Sequence, residues 1–310
     1  MKIAFVFPGQ GSQSVGMMVS FSGLPGVRAT FSEASDAIGQ DLWKLVEEGP
    51  AEELNLTVNT QPIMLTAGIA LHRAWEADNG AAPAICAGHS LGEYSALVAA
   101  GAIDFPTAVS LVLFRAQAMQ DAVPAGVGAM AAILGLEDEV VQAVCKEASG
   151  EKQIVEAANF NSPAHVVIAG NVAAVERAME LAKGKGAKRA VMLPMSVPSH
   201  CSLMRPAAER MRERLKAVRI GTSSMPVLHN ADVSSAVSPD AIRDALVRQL
   251  YQPVRWVDTI RAFVTSGVTH IVECGPGRVL AGLCKRIAPQ TQSFSFADEP
   301  AFKTAFAALK

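Results

Sequence analysis

The pentapeptide Gly88-His89-Ser90-Leu91-Gly92 limits the folds open to this chain more than any other segment. An apolar run precedes it at residues 84–87, and a helix-like run follows at 93–100. Strand, sharp turn and helix is the context of a nucleophile elbow, in which flanking glycines leave room for a strained turn that exposes the serine. The segment therefore predicts a serine nucleophile at position 90.

A glycine-flanked serine has a second interpretation, as a residue that only caps the following helix. The strand before it and the helix after it favour the elbow, where the N–H of Leu91 faces a developing oxyanion and the helix dipole favours negative charge. His89 is adjacent to the serine on the turn and points away from it. We therefore expect the base to come from elsewhere in the chain.

Composition excludes several classes of protein. The chain has 310 residues, of which 50% are hydrophobic and 18% charged, and its apolar runs are shorter than the roughly 20 residues of a membrane-spanning helix. Lys and Arg total 27 against 29 acidic residues, so a globally basic nucleic-acid binder is excluded. The five cysteines are widely spaced and form no Cys-x-x-Cys motif, which predicts a reducing, cytoplasmic environment and no structural zinc.

One internal segment differs in pattern from the rest of the chain. Its predicted order is βαββαβ, the ferredoxin-like pattern, with strands at 130–134, 153–157, 166–169 and 189–193 and helices at 137–147 and 172–183. The flanking sequence alternates strands and helices in the way that is typical of a hydrolase-like α/β unit. We therefore expect a large α/β subdomain at 1–125 and 198–310, with a ferredoxin-like small subdomain inserted at 126–197.

His200 is the predicted general base among the six histidines. It lies where the chain returns from the inserted unit, in the segment 196–202, and such a loop can overhang the elbow in the cleft between two units. A histidine that merely caps a helix is the alternative, and His165 is kept as a residue of the pocket rim. No Asp or Glu stands out as the partner that orients the base in a hydrolase triad, so a backbone carbonyl could do this instead.

Arg115 is the only charged residue in a long apolar helix predicted at 108–119. Its guanidinium must either extend to solvent or bind an anion, and the residues alone leave both open. The second case predicts an acyl substrate with a free carboxylate, which arginine holds in a bidentate fork. The glycine-rich loop 7–13 could supply a second oxyanion N–H, whereas a dinucleotide fingerprint would require glycine where Ser14 stands.

Motifs along the whole chain resemble one family, the malonyl-CoA:acyl carrier protein transacylases. The similarity extends from about residue 3 to about residue 287. It rests on Gly-Gln-Gly-Ser-Gln at 9–13, Thr-Gln-Pro at 60–62, Gly-His-Ser-Leu-Gly-Glu at 88–93, Arg115, Pro-Ser-His at 198–200, Asn-Ala-Asp-Val at 230–233, Gln-Leu-Tyr at 249–251 and Gly-Pro-Gly at 275–277.

The resemblance implies a role for each matching residue. Ser90 would be the acylated nucleophile, His200 its general base and acid, and Arg115 the clamp for the malonyl carboxylate. The remaining assignments are the backbone N–H groups of Gln10 and Leu91 as oxyanion hole, the main-chain carbonyl of Gln249 as the group that orients His200, and Gln61, Met119 and Asn230 as pocket residues. Ala164-His165 departs from the family pattern and is expected to affect the pocket mouth.

The implied reaction moves a malonyl group from malonyl-CoA to the phosphopantetheine thiol of acyl carrier protein, without cofactor or metal, for fatty acid synthesis. We expect the acidic carrier protein to dock on basic residues, either Lys188-Arg189 or Lys285-Arg286, with no nucleic-acid or membrane partner. Alternatives are a transferase of a malonate decarboxylase or polyketide system, a serine thioesterase or esterase, and a non-catalytic protein that binds carrier protein.

Overall fold

The computed structural model describes residues 1–195 and 197–310. Nine strands are described: β1 Ile3–Phe7, β2 Ile85–Gly88, β3 Gly128–Leu134, β4 Val155–Ser162, β5 His165–Asn171, β6 Arg189–Met192, β7 Val227–Leu228, β8 His270–Glu273 and β9 Gln292–Ser295. The α-helices are α1 Val27–Ile38, α2 Leu42–Glu48, α3 Ala51–Leu54, α4 Thr57–Ala77, α5 Gly92–Ala99, α6 Phe105–Ala122, α7 Asp138–Ala148, α8 Val172–Gly184, α9 Arg205–Lys216, α10 Pro239–Tyr251, α11 Trp256–Thr265, α12 Val279–Ile287 and α13 Glu299–Leu309.

The large unit is built on a five-stranded parallel sheet of order β7-β2-β1-β8-β9. Its central strand β1 is buried along its whole length because helices cover both faces. Phe5 and Phe7 pack into the core on one face, and Ala4 and Val6 pack into the core on the other. Because both faces of β1 are buried, every residue of the strand is apolar.

The small unit is a four-stranded antiparallel sheet of order β4-β5-β3-β6. Helices α7 and α8 pack on one face of it and bury a separate apolar cluster that includes Ile133, Val144, Ile168 and Val175. Strand–helix–strand–strand–helix–strand in this spatial order is the ferredoxin-like arrangement. The prediction of a hydrolase-like α/β unit with an inserted ferredoxin-like unit is confirmed.

The predicted second strand of the inserted unit was too short. It was placed at 153–157, whereas β4 continues to Ser162. The extension is held from outside the unit, because Phe160 N donates to Val254 O and Val254 N donates to Ala158 O. This pairing joins β4 to the large unit. It keeps the chain extended as far as Ser162, although the polar side chains after Ala157 do not have the alternating pattern of a strand.

The boundaries 126–197 stay a prediction: the first strand of the small unit along the chain begins at Gly128 and the last ends at Met192, both inside these limits. Ser196, which belongs to the predicted return loop, lies outside the described residues. None of the described helices is both long and apolar enough to cross a membrane.

Candidate active site

Ser90 lies on a tight turn between β2 and α5, with a φ of 52° in the left-handed region. A Cβ at Gly88 would overlap the backbone of Gly92, and a Cβ at Gly92 would overlap the carbonyl of Phe7. Both positions therefore require glycine, because the strand, the turn and the helix meet without space for a side chain. The local geometry is that of a nucleophile elbow.

Asn230 lies beneath the elbow rather than along the pocket wall. Its Oδ1 accepts from Ser90 N at 2.7 Å, and its Nδ2 donates to Gly88 O at 2.7 Å. The residue is fully buried and is not among those that line the cavity at Ser90. Both ends of its amide hold the turn, and its place as a pocket residue stays a prediction.

His200 contacts Ser90 directly, with Nε2 at 2.7 Å from Oγ. Its Nδ1 lies 2.8 Å from the main-chain carbonyl of Gln249. A carbonyl oxygen only accepts, so Nδ1 carries the proton and Nε2 is left as the acceptor for the serine hydroxyl. No described carboxylate bonds to the ring, and the carbonyl occupies the place that an acid takes in a hydrolase triad.

The pKa of His200 is lowered to about 3. Burial is the largest cause because the ring is 3% exposed, and the positive charge of Arg115 acts in the same direction. The imidazole is consequently neutral at pH 7 and can accept a proton from Ser90. Its protonated form would be costly in this site unless an anion offset the charge of Arg115.

Arg115 extends from α6 into the centre of the site and is 1% exposed. It donates through Nη1 to Gln61 Oε1 at 2.9 Å, and through Nη2 to Gln249 Oε1 at 2.9 Å and to Ser90 Oγ at 3.2 Å. These three partners are neutral, and in the described part of the chain its Nε has none. A buried guanidinium with neutral partners and unused donors has the chemistry of an anion site.

The loop after β1 lies directly on the elbow. A Cβ at Gly9 would come 2.5 Å from His89 O and 3.8 Å from Leu91 N. Gln10 and Leu91 both line the same cavity as Ser90. This is the arrangement in which two N–H groups can face one oxyanion.

A cavity of about 150 Å³ is centred on these residues, which is enough for a short acyl group. Gln61 and Met119 form part of its large-unit wall. The small unit contributes the opposite wall, with Met130, Asn159, Asn161, Val167, Leu193 and Met195. The cavity therefore lies between the two units, with its most polar groups on the elbow side.

His89 and His165, the other two histidines considered for the site, do not contact Ser90 Oγ. His89 Nε2 bonds to Asn161 Oδ1 at 2.8 Å and so links the elbow to β4 of the small unit. His165 begins β5 and is not among the lining residues of the cavity, so its place at the pocket rim stays a prediction. Ala164 before it adopts a φ of 56° in the turn that joins β4 to β5.

The basic residues proposed for docking lie on the surface. Lys188 and Arg189 are exposed at the start of the edge strand β6, and Lys285 and Arg286 lie in the last turn of α12. None of the four lines the cavity. Among residues 1–195 and 197–310, no group of three or more His, Cys, Asp or Glu is placed to hold a metal ion.

Comparison with known proteins now decides the family. Residues 4–295 match the acyl transferase domain family. The malonyl CoA-acyl carrier protein transacylase of Escherichia coli (strain K12) is 55% identical over 300 residues, covering 96% of each chain. This chain belongs to the malonyl CoA-acyl carrier protein transacylase family.

Solved structures agree with that membership. The acyl-carrier-protein S-malonyltransferase of Burkholderia pseudomallei 1710b is 58% identical, with a TM-score of 0.97 over 99% of this chain and 100% of that chain. A malonyl-transacylase solved in complex with a type II polyketide acyl-carrier protein is 50% identical, with a TM-score of 0.98 over 99% of this chain and 100% of that chain. The transacylase family assignment from sequence is confirmed, and the protein is an acyltransferase.

The contact between Glu93 and His229, near the transacylase site, was not predicted from the sequence. Glu93 is fully buried at the start of α5, and its carboxylate bonds to His229 Nδ1 at 2.7 Å and to Gln249 Nε2 at 3.0 Å. The two partners of Glu93, His229 and Gln249, lie 136 and 156 positions away along the chain, so no local pattern reveals these contacts. The one available signal was an acid in the apolar segment that follows Ser90.

Proposed function

We propose that this protein transfers a malonyl group from malonyl-CoA to the phosphopantetheine thiol of acyl carrier protein. The observation that carries the proposal is the buried Arg115 guanidinium, whose protein partners are neutral and which lies 3.2 Å from Ser90 Oγ. An acyl group with a terminal carboxylate would bind this fork while its thioester carbonyl lies at the serine. Membership of the transacylase family supports the same substrate.

In the first half-reaction, Ser90 Oγ attacks the thioester carbonyl while His200 Nε2 takes the hydroxyl proton. The oxyanion that forms is stabilised by the backbone N–H groups of Gln10 and Leu91. His200 then returns the proton to the departing sulfur of CoA, and a malonyl ester of Ser90 remains. Gln249 keeps the imidazole in the required tautomer through its carbonyl.

In the second half-reaction, the phosphopantetheine thiol of the carrier protein attacks the ester, and His200 takes the thiol proton. The proton then passes to Ser90 Oγ as the carbon–oxygen bond breaks, which regenerates the enzyme. Water must be excluded from the malonyl ester of Ser90 until the thiol attacks it. The small cavity between the two units supports this, because it leaves little room beside a bound malonyl group.

We further propose that the transfer occurs in the cytoplasm and supplies extender units for fatty acid synthesis. Five buried, unpaired cysteines fit a reducing compartment. The acidic carrier protein is proposed to dock at Lys188 and Arg189, with Lys285 and Arg286 as the second candidate surface. Comparing fatty-acid and polyketide carrier proteins as acceptors distinguishes the pathways, and a preference for the polyketide protein would overturn the assignment to fatty acid synthesis.

Intact-mass measurement after mixing with malonyl-CoA tests the central step. We expect a malonyl adduct on the unaltered protein that is absent from Ser90→Ala and that disappears when carrier protein is added. Ser95→Ala, in the helix α5 that follows Ser90 and away from the cavity, is the matched control and should still be loaded. An adduct that survives in Ser90→Ala would refute the assignment, and release of free malonate instead of transfer would indicate a thioesterase.

A further inference from the structure

Glu93 is a fully buried carboxylate one helical turn beyond the nucleophile, and the reaction steps above do not use it. It accepts three hydrogen bonds: from His229 Nδ1 at 2.7 Å, from Asn230 N at 2.9 Å and from Gln249 Nε2 at 3.0 Å. An acid is rarely buried this completely unless its charge is paired and its oxygens are bonded. The three donors come from two segments that both reach Ser90.

His229 is the buried partner of the Glu93 carboxylate. Burial by itself lowers the pKa of His229, but the adjacent carboxylate outweighs it and the pKa is raised above its ordinary value. His229 Nδ1 lies 2.7 Å from Glu93 Oε1, and Glu93 Oε2 accepts from the other two donors. Both carboxylate oxygens of Glu93 therefore act as acceptors inside the protein.

Gln249 connects this carboxylate to the substrate clamp. Its side-chain Nε2 donates both to Glu93 Oε2 and to Ser90 O at 2.9 Å, while its Oε1 accepts from Arg115 Nη2. Both oxygens of Glu93 accept hydrogen bonds, so Glu93 determines which end of the Gln249 amide faces it. The oxygen end is consequently turned toward Arg115, where it holds the guanidinium in place.

Asn230 connects the same carboxylate to the elbow. Its backbone N–H is bonded to Glu93 Oε2, and its side chain bonds to Ser90 N and to Gly88 O. One buried acid thus fixes a residue that supports the strained turn and a residue that supports the clamp. No direct contact between Glu93 and the reacting atoms is needed for this.

We propose that Glu93 is a positioning residue that, through the side-chain amide of Gln249, aligns the Arg115 fork with the carboxylate of the acyl group, and that supports the elbow through Asn230. The proposal rests on the function proposed above. It makes the preference of Arg115 for a carboxylate-bearing acyl group depend partly on a residue that does not touch the substrate.

Glu93→Gln tests this with a side chain of the same shape and no charge. Its neutral amide oxygen is a weaker acceptor than a carboxylate, so Gln249 Nε2 is held less firmly and Gln249 Oε1 positions Arg115 less well. The readout is the ratio of loading rates with malonyl-CoA and acetyl-CoA in a single turnover. Since a hydrogen bond to a carboxylate is stronger than one to a neutral amide oxygen, we expect the ratio to fall about tenfold.

A merely structural role would reduce both loading rates by the same factor and leave the ratio unchanged, which would overturn the proposal. Glu273→Gln is the matched control, because Glu273 is equally buried but bonds to the N-terminus of α12. It should leave the malonyl preference intact. The dependence on Gln249 is tested in Gln249→Ala, where adding Glu93→Gln should change the ratio no further.

If Glu93→Gln does not fold, Glu93→Asp replaces it, since the shorter carboxylate keeps its charge and retreats from Gln249. A smaller fall in the same ratio supports the proposal, and an unchanged ratio overturns it. If the proposed transfer of malonyl groups is itself wrong, the result is different, because the unaltered protein would then form no malonyl adduct.

Discussion

At the scale of single residues, Arg115 carries the substrate preference. Arg115→Ala should reduce malonyl loading about ten- to a hundredfold more than acetyl loading, because the lost charge-assisted hydrogen bonds serve only an acyl group with a carboxylate. Loading rates with malonyl-CoA and acetyl-CoA give the comparison. Arg115→Lys keeps the charge without the fork and should retain part of the preference. Equal losses with both substrates would make this arginine structural.

The environment of His200 sets the pH dependence of loading. Only the neutral imidazole accepts the Ser90 proton, and the pKa of His200 in the free enzyme is lowered to about 3 by burial and by Arg115. At pH 5 the ring is then almost wholly neutral, whereas an ordinary histidine with a pKa of about 6.5 would be only about 3% neutral. We therefore expect that protonation of His200 does not lower kcat/KM for malonyl-CoA between pH 8 and pH 5.

The test is a pH profile of kcat/KM for the unaltered protein and for Arg115→Gln. Removing the positive charge should raise the pKa of His200, so the acid limb moves to higher pH in the variant. Arg212→Gln removes a charge on the surface of α9 and should leave the profile unchanged. An acid limb near pH 6.5 in the unaltered protein would contradict the expected effect of burial.

Ser90 and His200 could be selected from sequence because each stands out locally: Ser90 lies between two glycines, and His200 lies in the loop that returns from an inserted unit. Arg115 is the only charge in the apolar run 108–119, but its role came from the family resemblance rather than from this pattern. Glu93 and the side chain of Gln249 act through partners that are distant in the chain, so their contacts appear only in the folded protein.

At the scale of elements, the sheet of the large unit explains the position of the elbow. Strands β1, β2 and β8 are parallel, so their carboxyl ends lie at one edge, where Gly9, Ser90 and Gly275 follow them. Loops at such an edge commonly form the site in α/β folds. The close approach of the β1 loop to the elbow is a consequence of this adjacency.

Strand β4 marks where sequence patterns stop being sufficient. Its apolar periodicity ends near Ala157, while Asn159 and Asn161 continue the strand and line the cavity. Register shifts in its pairing with β5 and a bond from His89 to Asn161 set these polar side chains toward the site. Because the segment is shaped by contacts with the large unit, a local hydrophobic pattern could not reveal its extent.

At the scale of the whole molecule, the two units have different tasks. The large unit and the loop that returns to it provide Ser90, His200, Arg115 and Gln249, whereas the small unit provides mainly a wall of the cavity. This separation places the exposed edge of the small sheet beside the cleft. Leu193, which follows β6 directly, is one of the residues that line the cavity.

The edge strand β6 is therefore the surface on which we expect the carrier protein to dock. Lys188 and Arg189 are exposed there, next to the exposed apolar side chains of Val191 and Met192. Basic groups guide an acidic partner at long range, and apolar neighbours add contact area once it has docked. The phosphopantetheine arm would then enter the cleft from this side.

Lys188→Glu with Arg189→Glu should raise the KM for carrier protein at least about tenfold, because attraction becomes repulsion, and should leave loading from malonyl-CoA unchanged. Added salt should narrow the difference between variant and unaltered protein, since screening weakens both effects. Lys303→Glu with Lys310→Glu makes the same change in net charge on α13 and at the end of the chain, and should leave the KM as it is. An unchanged KM in the first variant would move the docking surface to Lys285 and Arg286, where the same pair of reversals can be measured.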